Sequence, residues 1–246
     1  MRHRRRPDPV DPAWEATAVE LAGSWTHLDD GTRDRWLADA RAFDRSKLWE
    51  PLDQLDVTPE IRATVSVLAT LLTVEIGPLL LADVTSVILS PRPTTRTTRH
   101  AVAGGIVSEG TACVLGEALL HGPIRVTWKP GSPARNQPVI LHEFAHKIDM
   151  ADGITNGTPP IADRSESLRF ERVMAATLDR LRDGPRSPAL RPYASTSPTE
   201  LFAVATETLF LDPDGLASGH PDLFAALAGF YRQRPRRSDV SGVGDR

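Results

Sequence analysis

Gln137-Pro-Val-Ile-Leu-His-Glu-Phe-Ala-His-Lys-Ile-Asp-Met150 reads as one helix, with His142-Glu143-Phe144-Ala145-His146 near its middle. Residues four apart share a helix face, so the two imidazoles of this HExxH pattern can point at one ion. Glu143 lies one step round, where a carboxylate reaches a water on that ion rather than the ion itself. The ends are marked by Asn136 as N-cap, Pro138 in the first turn and Gly153 just past the close. A pattern this short also arises by chance, and two histidines on an amphipathic face are often simply buried and hydrogen-bonded. The helical context favours the metal.

Working outward, the preceding segments read as strands and the first third as helices. Trp14 to Trp25, Asp30 to Phe43 and Pro59 to Ile76 are helical, the last with Ile61, Val65, Leu68, Leu72 and Ile76 at helical spacing. The character changes at Gly77-Pro78. Asp83 to Ser90 is rich in β-branched residues and predicts a strand, and Pro91 to Arg99 a Pro/Thr/Arg loop. Ala101 to Val107, Val114 to Leu120 and Ile124 to Trp128 predict further strands. Helices then return at Arg164 to Leu181, Pro198 to Leu211 and Pro221 to Tyr231. Helices, a small sheet, then helices carrying the motif predict an α+β, zincin-like metallopeptidase domain with an N-terminal helical lobe. Residues 13–235 form one expected unit, with the lobe over 13–78 and the catalytic part over 79–235. Residues 1–12 read as a flexible basic N-terminus and 236–246 as a flexible tail.

Composition fits that class. The 246 residues are 40% hydrophobic and 25% charged, ordinary for a soluble globular chain. A net charge of −3 argues against general nucleic-acid binding. Cys113 is the one cysteine, which excludes an internal disulfide and a multi-cysteine metal site. The basic start is followed by Pro7 to Pro12 where a secretory signal needs an apolar run. The apolar stretch over 71–84 is broken by Glu75, Gly77 and Pro78, so no membrane span is expected. The expected location is the cytoplasm.

Two histidines leave the site incomplete, because catalytic zinc takes three protein ligands and an open fourth position. A histidine six residues after His146 would serve, but that position is Asp152, and His220 is the only histidine further on. The third ligand must be a carboxylate. Asp149 shares the helix face of the histidines, but its short side chain starts nearly a turn further along. It suits a partner for an imidazole N–H better than a ligand. Glu200 and Glu207 lie seven apart in an otherwise apolar helix, where two carboxylates need partners. Glu200 also fits a capping box, Ser197-Pro-Thr-Glu200. Spacing alone leaves these two nearly level.

Several stretches together carry a resemblance. Ile140-Leu-His-Glu-Phe-Ala-His-Lys-Ile-Asp149, then Asp152-Gly153, Gly157-Thr-Pro and Tyr193-Ala-Ser-Thr-Ser-Pro-Thr-Glu-Leu-Phe-Ala-Val-Ala-Thr-Glu207, resemble the MtfA-type (Mlc titration factor A) zinc-dependent peptidases. The likeness covers much of residues 100–232, including Gly122-Pro-Ile-Arg-Val-Thr-Trp128 and Phe230-Tyr231, and is only general before residue 80. The catalytic domain of anthrax lethal factor is similar at a greater distance. The resemblance implies Glu200 as third ligand, Glu207 as a supporting acid, and Tyr193 as the group that steadies the tetrahedral intermediate.

The expected protein is therefore an aminopeptidase-like zinc peptidase with one Zn2+ per chain, Glu143 as general base and a peptide or protein substrate. The strand Ile124 to Trp128 either pairs with extended substrate at its edge or merely completes the sheet. The alternative is a regulatory binding protein that sequesters a transcriptional regulator, as the family name suggests.

Overall fold

The computed structural model describes residues 11–92, 94–102, 106–114, 116–118, 122–131 and 133–236. The tails expected at the two ends fall almost wholly outside these residues.

The chain begins with helices whose starts are fixed by side-chain caps. Helix α1 (Pro12–Gly23) is capped by Asp11, whose carboxylate accepts from Ala13 N, and α2 (Asp30–Ser46) by Asp29. After a short strand β1 (Leu48–Pro51), α3 (Pro59–Leu71) is capped by Thr58. Helix α3 packs against both α1 and α2 and is buried on nearly every side. Trp36 of α2 donates its indole N–H to Val67 O of α3 at 2.9 Å, which satisfies a buried polar atom. Helix α3 stops five residues short of the expected Ile76. The Thr73 hydroxyl donates to Thr70 O, and Gly77, at φ 103°, turns the chain into a 3-10 turn over Pro78–Leu81.

Strands β2 (Ser86–Ser90), β3 (Thr94–Val102), β4 (Ile106–Val114), β5 (Gly116–Ala118) and β6 (Ile124–Thr127) follow. The main sheet has the order β1-β2-β6-β5, with β1, β2 and β6 parallel and β5 antiparallel to β6. Strands β3 and β4 form a separate antiparallel pair, Thr94 opposite Val114. The expected loop over Pro91 to Arg99 is therefore largely strand. Its threonines are β-branched and suit a ladder, and the two prolines stand before it. The expected strand Ala101 to Val107 straddles the end of β3 and the start of β4. Strand β1 was not predicted: it is four residues long, and its proline is tolerated because it lies at a sheet edge.

The helical second half comprises α4 (Gln137–Asp149), α5 (Arg164–Asp183), α6 (Pro198–Leu211), α7 (Pro213–Gly219) and α8 (Pro221–Tyr231). Helix α7 escaped prediction because its seven residues include two glycines, which are poor helix formers. Asp212 rescues it by accepting from Gly215 N. One apolar core joins Leu68 of α3, Val87 of β2, Val126 of β6, Phe144 of α4, Phe202 of α6 and Tyr231 of α8. The Tyr231 hydroxyl is satisfied by Thr206 at 2.9 Å. This chain is an α+β fold of helices around a small, mostly parallel sheet. Among the described residues no helix is long and apolar enough to cross a membrane.

Candidate metal centre

Helix α4 lies between the sheet and α6, in contact with β5, β6, α3 and α6. Phe144, Ala145 and Ile148 bury its core face completely, which leaves His142 and His146 to project from the opposite side toward α6. Asn136 does not cap this helix. A 3-10 turn over Pro133–Asn136 leads into α4, so the Asn136 backbone is already helical (φ −97°, ψ −16°). Its amide instead brackets Lys129, accepting from the backbone N at 2.7 Å and donating to the O at 3.0 Å. That ties the end of β6 to the start of α4. Gly153 does close the segment, in the left-handed region at φ 86°.

Helix α6 is capped by Ser197, whose hydroxyl accepts from Glu200 N at 3.1 Å. The Glu200 carboxylate turns inward. Its Oε2 lies 3.2 Å from His142 Nε2 and 3.6 Å from His146 Nε2, and the two imidazole Nε2 atoms are 3.2 Å apart. The rings stand perpendicular, 4.7 Å between centroids. Three donor atoms thus form a nearly equilateral triangle, and Glu200 Oε2 is buried with no hydrogen-bond partner among the described residues. His142, His146 and Glu200 form a group that could hold a metal ion. Two neutral-capable imidazoles and one carboxylate are also the donor types divalent transition metals take.

The remaining acids and the tyrosine surround this triangle. Glu143 is 4% exposed and acts electrostatically on both His142 and Tyr193. Glu207 Oε2 lies 3.7 Å from His142 Nδ1 and is paired with Arg191. Tyr193, in a 3-10 turn over Pro192–Ser195, donates its hydroxyl to Glu200 Oε1 at 3.1 Å and lies 6.2 Å from the His142 ring. It is 50% exposed, so it is no core tyrosine.

Charge follows from these contacts. Burial opposes a charged imidazole at His142, but the adjacent Glu200 and Glu207 carboxylates outweigh it and raise the group to about 9. Burial likewise opposes ionised Glu200, and the two histidines outweigh it, holding the carboxyl well below its usual range. Burial and the neighbouring Glu200 push the Tyr193 phenol up to about 12, so it stays protonated as a donor.

The chain as a whole is similar to known proteins. Residues 1–232 match the glucose-regulated metallo-peptidase M90 family. The chain belongs to that family. Mlc titration factor A of Edwardsiella ictaluri is 31% identical over 230 residues, 90% of this chain and 87% of that protein. The protein of the same name from Serratia proteamaculans is 28% identical over 242 residues, 95% and 91% of the two chains.

In this member of the M90 family the structure bears on one expected contact, on one alternative the sequence left open and on one residue the sequence reading did not single out. Asp149 Oδ2 accepts from Gly157 N at 3.0 Å rather than from an imidazole, and among the described residues His146 Nδ1 has no hydrogen-bond partner. Burial raises Asp149 to about 6 against the pull of the Gly157 N–H and the His146 charge. Strand β6 offers no free edge, since β2 and β5 flank it, so it completes the sheet. Arg191 was overlooked altogether. Its signal was present, because an arginine two residues before Tyr193 is a natural partner for a carboxylate on an apolar helix.

Proposed function

We propose that this chain is a zinc-dependent peptidase of zincin-like layout, with one ion held by His142, His146 and Glu200 and with Glu143 as general base. The observation that carries this reading is the donor triangle of 3.2, 3.2 and 3.6 Å. A tetrahedral zinc with ligands at about 2.0–2.2 Å requires donor separations of about 3.3–3.6 Å. Residues 13–235 act as one catalytic unit in this proposal.

Zinc in such a site supplies Lewis acidity and lowers the pKa of a water to about 7. Glu143, buried beside the donors, takes a proton from the attacking water and later delivers one to the leaving amine. Tyr193 moves its hydroxyl hydrogen bond from Glu200 to the developing oxyanion, a role its protonated state and half-exposed position support. Glu207, fixed by Arg191, orients the His142 ring from behind. An aminopeptidase-like preference is part of the proposal. Metal analysis beside aminoacyl and internally quenched peptides tests it. Hydrolysis that survives complete chelation of the metal would refute the assignment.

A second reading is favoured by the name of the relatives, Mlc titration factor A. In it the chain also binds a transcriptional regulator, independently of catalysis. An inactive Glu143→Gln protein that still retains purified regulator would support that role, and loss of retention would refute it.

A further inference from the structure

Gly157 lies between the two helices that carry the donor atoms. Its N–H donates to Asp149 Oδ2 at 3.0 Å, and Asp149 ends α4, three residues after His146, with no exposed surface. Its other side touches Pro198, the first residue of α6 and two residues before Glu200. A Cβ on Gly157 would stand 2.3 Å from Pro198 O and 2.5 Å from Pro198 C. Both are backbone atoms, so no side-chain rotation relieves the clash. The φ of 78° independently favours glycine. Gly157, Thr158 and Pro159 are all buried, so the segment is wedged in place.

We propose that Gly157, held by Asp149, is a positioning residue that sets the distance of Glu200 from His142 and His146. The chain path runs from α4 through the Asp149 carboxylate and the Gly157 backbone to the first turn of α6. Only a residue without a side chain lets the two helices approach this closely. Asp149 then serves the centre mechanically, through an acceptor oxygen, rather than by hydrogen-bonding an imidazole. The inference rests on Glu200 being the third ligand.

The test measures Zn2+ affinity by chelator competition, together with the visible spectrum of the Co2+-loaded protein and far-UV circular dichroism. Gly157→Ala should stay folded, bind Zn2+ about 10- to 100-fold more weakly, the range for residues that orient ligands, and give an altered cobalt spectrum. Asp149→Ala should weaken binding in the same range, and Asp149→Asn, which keeps an acceptor for Gly157 N, should restore it. A folded Gly157→Ala protein with unchanged affinity and spectrum overturns the proposal, even if its thermal stability falls. If Gly157→Ala does not fold, the Asp149 pair decides. An Asn variant as weak as the Ala variant means that the carboxylate charge acts on His146 and overturns the bridge. Glu200→Ala, measured alongside, separates the two claims: undiminished affinity there refutes the ligand assignment itself.

Discussion

Tyr193 donates its hydroxyl to Glu200 Oε1 at 3.1 Å, across seven residues of sequence and beside the donor triangle. The phenol is half-exposed and contributes little to the core. Tyr193→Phe should therefore lower kcat by about 10²–10³-fold, the usual loss for one oxyanion donor, and kcat/KM equally. Thermal stability should shift by no more than about 0.5 kcal/mol, as for a surface substitution. Steady-state kinetics with a melting curve on the one variant check this. An unchanged kcat would leave the hydroxyl a structural feature of Glu200.

Glu143→Gln should hold metal and lose turnover. Its carboxylate is outside the donor group, and its assigned task is proton transfer, a contribution of about 10²–10⁴-fold. Metal content measured beside peptide hydrolysis separates the two functions. Depletion of metal in this variant would move Glu143 into the ligand set.

Glu200 and Glu207 should separate cleanly in metal affinity. Glu200→Ala removes a donor atom and should give the larger loss. Glu207→Gln only loosens the His142 ring and should cost about 10- to 100-fold. Arg191→Ala should resemble Glu207→Gln, because it frees the same carboxylate. The reverse ranking, with Glu207 dominant, would exchange the two roles.

That ranking was the point at which the sequence stopped being legible. The spacing of His142 and His146 follows from helical periodicity alone, and the rings do meet as i, i+4 neighbours. Glu200 and Glu207 share a face two turns apart, so periodicity treats them alike. Which one reaches the Nε2 atoms depends on how α4 crosses α6, a tertiary fact. Asn136 failed as a cap for a similar reason, since a preceding 3-10 turn changed its backbone before the helix began. Short elements such as β1 and α7 carry too few residues for a period to register. The long helices, by contrast, were readable from cap residues and apolar spacing, and their ends moved by only a few residues.

Metal uptake should release about one proton at neutral pH. In the metal-free protein His142 has its pKa raised from 6.5 to about 9 by Glu200 and Glu207 against burial, so the ring is charged at pH 7. A metal takes only the neutral imidazole, so binding must expel that proton. Glu200, held far below its usual range, is ionised throughout and adds none. Apparent affinity should therefore rise about tenfold per pH unit up to about 9, then level off. The same shift has the opposite sign for metal-free stability. A raised folded pKa contributes stability fully below the unfolded value of 6.5, and that contribution disappears as pH climbs through about 9. The metal-free protein should thus melt at a lower temperature at pH 9.5 than at pH 6.5, a difference that His142→Ala should shrink. Calorimetry of Zn2+ binding in buffers of differing ionisation enthalpy counts the proton directly. Binding with no proton released at pH 7 would mean that the imidazole is already neutral, and the charge balance assigned to His142, Glu200 and Glu207 would fail.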